Sequence, residues 1–154
     1  MNQNTSTNYK YILGQKVDYA TFEKAIDNII QLTNKQRSSY ICASNVHMVM
    51  ESFDSNNYQK IINNADIVVP DGKALVWAQK ILGNKNAEQV RGEDVTRALC
   101  EMASEKGFPV GFYGSTPSVL EKIVDILTNN YSNLNIAYSF SPPFRKLSNS
   151  EDKK

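Results

Sequence analysis

The run Ile67-Val68-Val69-Pro70 is apolar at every position and leads directly into Asp71-Gly72. An apolar run without alternation suits a strand covered on both faces, the environment of a parallel sheet, and parallel strands need crossover connections that are usually helical. Glycine after the aspartate frees the backbone to turn, and aspartate itself bonds readily to the backbone that follows it. In open α/β sheets ligands bind outside the carboxyl ends of the strands, so Asp71 falls where chemistry is placed.

The remaining chain alternates as such a strand requires. Tyr11 to Val17 predicts an edge strand or hairpin, and Thr21 is placed to cap a helix with Phe22, Ala25, Ile26, Ile29 and Ile30 at helical spacing. A strand from Tyr40 to Ala43 ends in Ser44-Asn45, followed by a helix from Val46 to Ser55 and a short one from Tyr58 to Asn63. Ala74, Leu75, Trp77, Ala78, Ile81 and Leu82 predict the inner side of a helix that Gly83 stops. Gly92-Glu93-Asp94 opens a helix with Val95, Ala98, Leu99, Met102 and Ala103 inside and Gly107 at its end. Val110 to Tyr113 reads as a strand, and Gly114-Ser115-Thr116-Pro117 as the turn into a helix that buries Val119, Leu120, Ile123, Val124 and Leu127. Asn135 to Tyr138 is the last strand, and Trp77, Phe112 and Tyr113 are expected in the core. The fold class is α/β, a mostly parallel sheet with helices on both faces, Rossmann-like.

With 154 residues, 41% hydrophobic and 21% charged, the chain is expected to form one α/β domain over residues 11–147. A flexible start at residues 1–10 and a polar tail at 148–154 flank it. A net charge of +1 gives no basis for wholesale attraction to nucleic acid, and no nucleic-acid partner is expected. No window approaches the ~20 apolar residues of a spanning helix. The expected location is cytoplasmic, with any membrane contact peripheral. Cys42 and Cys100 lack the spacing of a metal or redox pair and are expected as buried free thiols.

Three strand ends carry polar turn residues directly before a helix: Ser44-Asn45, Asp71-Gly72 and Gly114-Ser115-Thr116. In a parallel sheet all three would lie on one rim and line one crevice. Asp71 is either a turn residue or a base that takes a proton from an attacking hydroxyl. Ser44 and Asn45 either hydrogen-bond a sugar or phosphate or begin the next helix. At Gly114-Ser115 the backbone can approach a diphosphate at a helix N-terminus, or the segment is an ordinary turn with Thr116 as cap. His47, the only histidine, is an alternative base or a helix-surface residue; one imidazole cannot found a His-rich metal site. Arg91 could meet phosphate, and Asp94 could bind a hydroxyl or cap its helix.

In order, Ser44-Asn45-Val46-His47, Val69-Pro70-Asp71-Gly72, Val90-Arg91-Gly92-Glu93-Asp94-Val95, Phe112-Tyr113-Gly114-Ser115 and Ser141-Pro142-Pro143-Phe144 resemble the WecB/TagA/CpsF family of bacterial glycosyltransferases. The resemblance runs from about Tyr11 onward. It implies an α/β enzyme that moves an N-acetylmannosamine-type sugar, with inversion and without a cofactor or essential metal. The donor would be a UDP-sugar and the acceptor an undecaprenyl-diphosphate-linked saccharide, in teichoic acid or cell-surface polysaccharide synthesis. Asp71 matches the family's proposed base, and Ser44 stands for a threonine thought to contact substrate. Asn45, Gly72, Arg91, Asp94, Gly114 and Ser115 fall to substrate binding by the same carry-over. Gln89 departs from the family, where many members have arginine. The family usually continues beyond the Pro-Pro-Phe segment, so the fold is expected to be incomplete at the C-terminal end. A complementing C-terminal fragment or a homo-oligomer then stands among the expected partners, and a catalytically inactive nucleotide-sugar-binding fragment is the alternative function.

Overall fold

The computed structural model describes residues 8–19, 21–35, 37–148 and 151. Most of the expected loose start, residues 1–7, and tail positions 149, 150 and 152–154 lie outside the described residues. Packing divides between two compact units, Met1–Thr96 and Arg97–Lys154, each with its own buried clusters.

In the first unit, β1 (Tyr9–Ile12) and β2 (Gln15–Asp18) form an antiparallel hairpin with Tyr9 opposite Asp18 and Ile12 opposite Gln15. Its first strand begins inside the stretch expected to be a flexible start. Helix α1 (Phe22–Thr33) is capped as expected: the Thr21 hydroxyl accepts from the Lys24 amide at 3.4 Å. Strand β3 (Ile41–Ser44) leads through α2 (Val46–Asp54) and α3 (Asn56–Asn63) to β4 (Ile67–Pro70), and β3 pairs with β4 in parallel. Every residue of β4 is buried, as its apolar run demands. Ser44 stands opposite Pro70, so the two strands deliver Asn45 and Asp71 side by side.

Helix α4 (Lys73–Ile81) follows, with a different inner side from the one expected. Leu75, Val76 and Gln79 are buried, whereas Trp77 is 64% and Ile81 86% exposed, so Trp77 is not a core residue. Apolar residues lie on both sides of this helix, and a polar contact decides its rotation. The Gln79 amide donates to the backbone carbonyls of Val17 and Asp18 at 3.2 and 3.0 Å, turning Leu75 onto Val17 and Val49. Asp18 accepts from the Val68 amide at 2.6 Å, tying the hairpin to β4. Burial pushes the Asp18 pKa up, against the opposing pull of that hydrogen bond and of Lys16.

Helix α5 (Gly92–Lys106) runs from the first unit into the second, which continues with β5 (Pro109–Tyr113), α6 (Pro117–Asn130) and β6 (Asn135–Phe140). Strands β5 and β6 are parallel, with a register shift between Val110 and Gly111. Cys100, Ala103, Leu127 and Leu134 form the core cluster, with Phe112 packed against it. Tyr113, the next residue along the strand, is 62% exposed and not in the core, because successive side chains leave a strand on opposite faces. Cys42 is half-buried and Cys100 buried; both are free thiols whose pKa burial raises. The architecture is α/β, with parallel pairing in both crossover segments.

Candidate active site

Asp71 sits where three helices of the first unit begin. Its backbone amide donates to the Ser44 carbonyl at 2.8 Å, and that of Gly72 donates to the same carbonyl at 3.2 Å. The Val90 amide donates to the Pro70 carbonyl at 2.9 Å, and the Gln89 side chain donates to the Asp71 carbonyl at 2.5 Å. These bonds run the chain past the strand end and place α5 so that the Gly92 amide donates to Asp71 Oδ1 at 3.2 Å. Among the described residues no hydrogen bond engages Oδ2. Half-buried Asp71 is therefore both a structural acceptor and a carboxylate with one unengaged oxygen.

Gly72 makes this packing possible. A β-carbon there would lie 3.3 Å from Asn45 Cα and 3.4 Å from Asn45 Cβ. Asn45 caps α2, its Oδ1 accepting from the Met48 amide at 3.2 Å. Gly72 precedes α4 without any side-chain cap, so the first amides of α4 have no intrahelical acceptor. Each helix N-terminus carries roughly half a positive charge, and with three of them around Asp71 an anion is favoured here.

Ser44 is placed differently from its expected role. It is fully buried, and its hydroxyl accepts from Gln15 Nε2 at 2.6 Å while Gln15 Oε1 accepts from the Ser52 hydroxyl at 2.7 Å. Strand alternation turns the side chain into the fold, where it meets Gln15 rather than the rim. This Gln15-Ser44-Ser52 network escaped sequence reasoning: nothing local marks Gln15 in a short hairpin strand as a core residue.

His47 is exposed in the first turn of α2, and no hydrogen bond orients its imidazole among the described residues. Arg91 is exposed and pairs with Glu93 at 3.4 Å, a contact of the weak, solvent-screened kind. Asp94 is half-buried in the first turn of α5, next to Gly92, whose added β-carbon would lie 3.2 Å from Ala43 Cβ. Gln89, expected to depart from the resembled family's pattern, is the residue whose side chain holds the Asp71 carbonyl. Among the described residues no three His, Cys, Asp or Glu side chains are grouped to hold a metal ion.

Two of the three strand ends thus meet in the first unit; the third, Gly114-Ser115, belongs to the second. Gly114 and Ser115 adopt φ of +122° and +61°. The Gly114 amide donates to the Phe140 carbonyl at 3.0 Å, and the Ser141 hydroxyl to the Ser115 carbonyl at 2.6 Å, so the Ser-Pro-Pro-Phe segment braces this turn. Thr116 does not act as the expected cap: its side chain makes no capping hydrogen bond and lies 3.4 Å from the Ser118 hydroxyl. A groove of about 510 Å³ along α6 is lined in part by Glu121 and Asp125, the wrong charge for a diphosphate.

The sequence model of the glycosyl transferase WecG/TagA/CpsF family matches residues 10–154. The chain belongs to that family. Among its relatives, a Bacillus spizizenii protein is 23% identical over 104 residues, covering 68% of this chain and 40% of the relative. A Staphylococcus aureus protein is 26% identical over 129 residues, covering 82% of this chain and 51% of the relative. Both carry the name N-acetylglucosaminyldiphosphoundecaprenol N-acetyl-beta-D-mannosaminyltransferase. The chain spans between two fifths and about half the length of these relatives.

Proposed function

We propose that this chain supplies the base-bearing part of an inverting glycosyltransferase. It moves an N-acetylmannosamine-type sugar from a UDP donor to a lipid-diphosphate-linked saccharide in cell-surface polysaccharide or teichoic acid synthesis. Asp71 Oδ2 accepts the proton of the acceptor hydroxyl as its oxygen attacks the anomeric carbon and the bond to UDP breaks. Helix N-termini of the first unit stabilise the departing diphosphate, with Arg91 as a further phosphate contact. Asn45, Gly72 and Asp94 form the substrate-side wall, and the chemistry takes place at the cytoplasmic face of the membrane. The observation that carries this reading is the division of labour in Asp71: Oδ1 is held by the Gly92 amide and Oδ2 is unengaged.

The test is sugar transfer from UDP-N-acetylmannosamine to lipid-diphosphate-linked N-acetylglucosamine, with the chain alone and with the rest of the family's length supplied. Asp71→Asn keeps an oxygen for the Gly92 amide, so donor binding is expected to persist while turnover falls about 10²–10⁴-fold. Unchanged turnover would sink the assignment, and a loss of that size in His47→Ala instead would move the base to His47. The partial coverage of the relatives favours a second reading, donor binding without turnover by these residues alone, and the two arms of the assay separate it from the first.

A further inference from the structure

Helix α4 carries an outer face that the described residues leave bare. Lys73, Trp77, Lys80 and Ile81 are spaced by four, seven and eight residues from the first, hence on one side of the helix, and Leu82 follows at its end. Trp77, Ile81 and Leu82 are 64%, 86% and 45% exposed. From Gly72 to Ala87 the sequence holds no acidic residue, while Lys73, Lys80 and Lys85 are exposed and form no ion pair among the described residues. Helix α2 offers a contrast: Val46, Met50 and Phe53 are exposed there too, but the acidic residues of that helix are Glu51 and Asp54, and it contains neither lysine nor arginine.

We propose that the outer face of α4 docks on an anionic lipid bilayer, with Trp77, Ile81 and Leu82 entering the headgroup boundary and the three lysines meeting lipid phosphates. A chain of net charge +1 concentrates three positive charges on a stretch that also presents its only tryptophan, and this pairing of cation and aromatic is the complement of an anionic interface. Lys73, Val76, Trp77, Lys80, Glu88 and Gln89 line a groove of about 410 Å³ beside this face. Gln89, one of the residues lining that groove, donates its side-chain amide to the Asp71 carbonyl, so a docked bilayer would lie next to the strand end that carries the base. Docking stands without the transferase reading; only the use of the groove by a lipid-linked acceptor rests on it.

Because Trp77 is the only tryptophan, its emission reports directly on the face. Vesicles of phosphatidylcholine with phosphatidylglycerol are expected to shift the emission to the blue, and brominated lipid to quench it, whereas phosphatidylcholine alone does neither. Each of Lys73→Gln, Lys80→Gln and Lys85→Gln is expected to weaken partitioning about fivefold at low salt, with circular dichroism unchanged. Ile81→Ser weakens it while retaining the fluorophore. No response to anionic vesicles, or equal response to neutral ones, overturns the proposal. A blue shift that grows with protein concentration in the absence of lipid assigns the face to a second copy. Emission already blue in a full-length family chain without lipid assigns it to the remainder of that chain.

Discussion

Ser44→Ala decides whether the Ser44 hydroxyl serves the fold or the substrate. Ser44, Gln15 and Ser52 are each 0% exposed, so no bulk water can replace a lost partner. Removing the Ser44 oxygen leaves Gln15 Nε2 without its 2.6 Å acceptor, a buried unpaired donor that costs about 1–3 kcal/mol. Already 1–2 kcal/mol shifts the folded-to-unfolded ratio by about 5–30-fold. Gln15→Leu strands both serine hydroxyls and is expected to cost more. The double variant Gln15→Leu/Ser44→Ala costs less than the sum, because the unpaired amide that Ser44→Ala creates is no longer there. Urea denaturation followed by far-UV circular dichroism is the measurement, since exposed Trp77 is a poor reporter of unfolding. Nucleotide-sugar binding is measured in parallel and is expected to change little. Unchanged stability together with lost donor binding would refute the reasoning and return Ser44 to the substrate.

Two further perturbations probe the same unit. Gly72→Ala pushes a methyl to 3.3 Å from the Asn45 backbone, so the strand ends must part by a few tenths of an ångström; a loss of about 1–3 kcal/mol in thermal or urea unfolding is expected, and an unaltered midpoint would show the contact to be slack. Asp18 holds its proton to higher pH in the folded chain than in the unfolded one, so its contribution to stability declines as pH rises above about 3.9 through its raised folded value. Asp18→Asn keeps an acceptor for the Val68 amide without the charge, and its stability relative to the parent is expected to improve between pH 4 and pH 7 in urea titrations; a constant difference across that range would count against the burial effect.

The sequence by itself determined the order and kind of elements, the cap at Thr21, and the place of Asp71 at the end of a buried parallel strand. These follow from local causes: side-chain periodicity, capping chemistry and the apolarity of a strand covered on both faces. Its ordered motifs also pointed to the family that the match over residues 10–154 establishes. Tertiary structure decided which side of α4 is buried, because two strand carbonyls from the hairpin, 62 and 61 residues away in sequence, select Gln79 over Trp77. It likewise turned Ser44 inward onto Gln15 and brought the Gly92 amide to Asp71 across 21 residues. Such pairings satisfy buried polar groups between segments that share no local pattern, and only the packed chain determines which donors and acceptors come within reach.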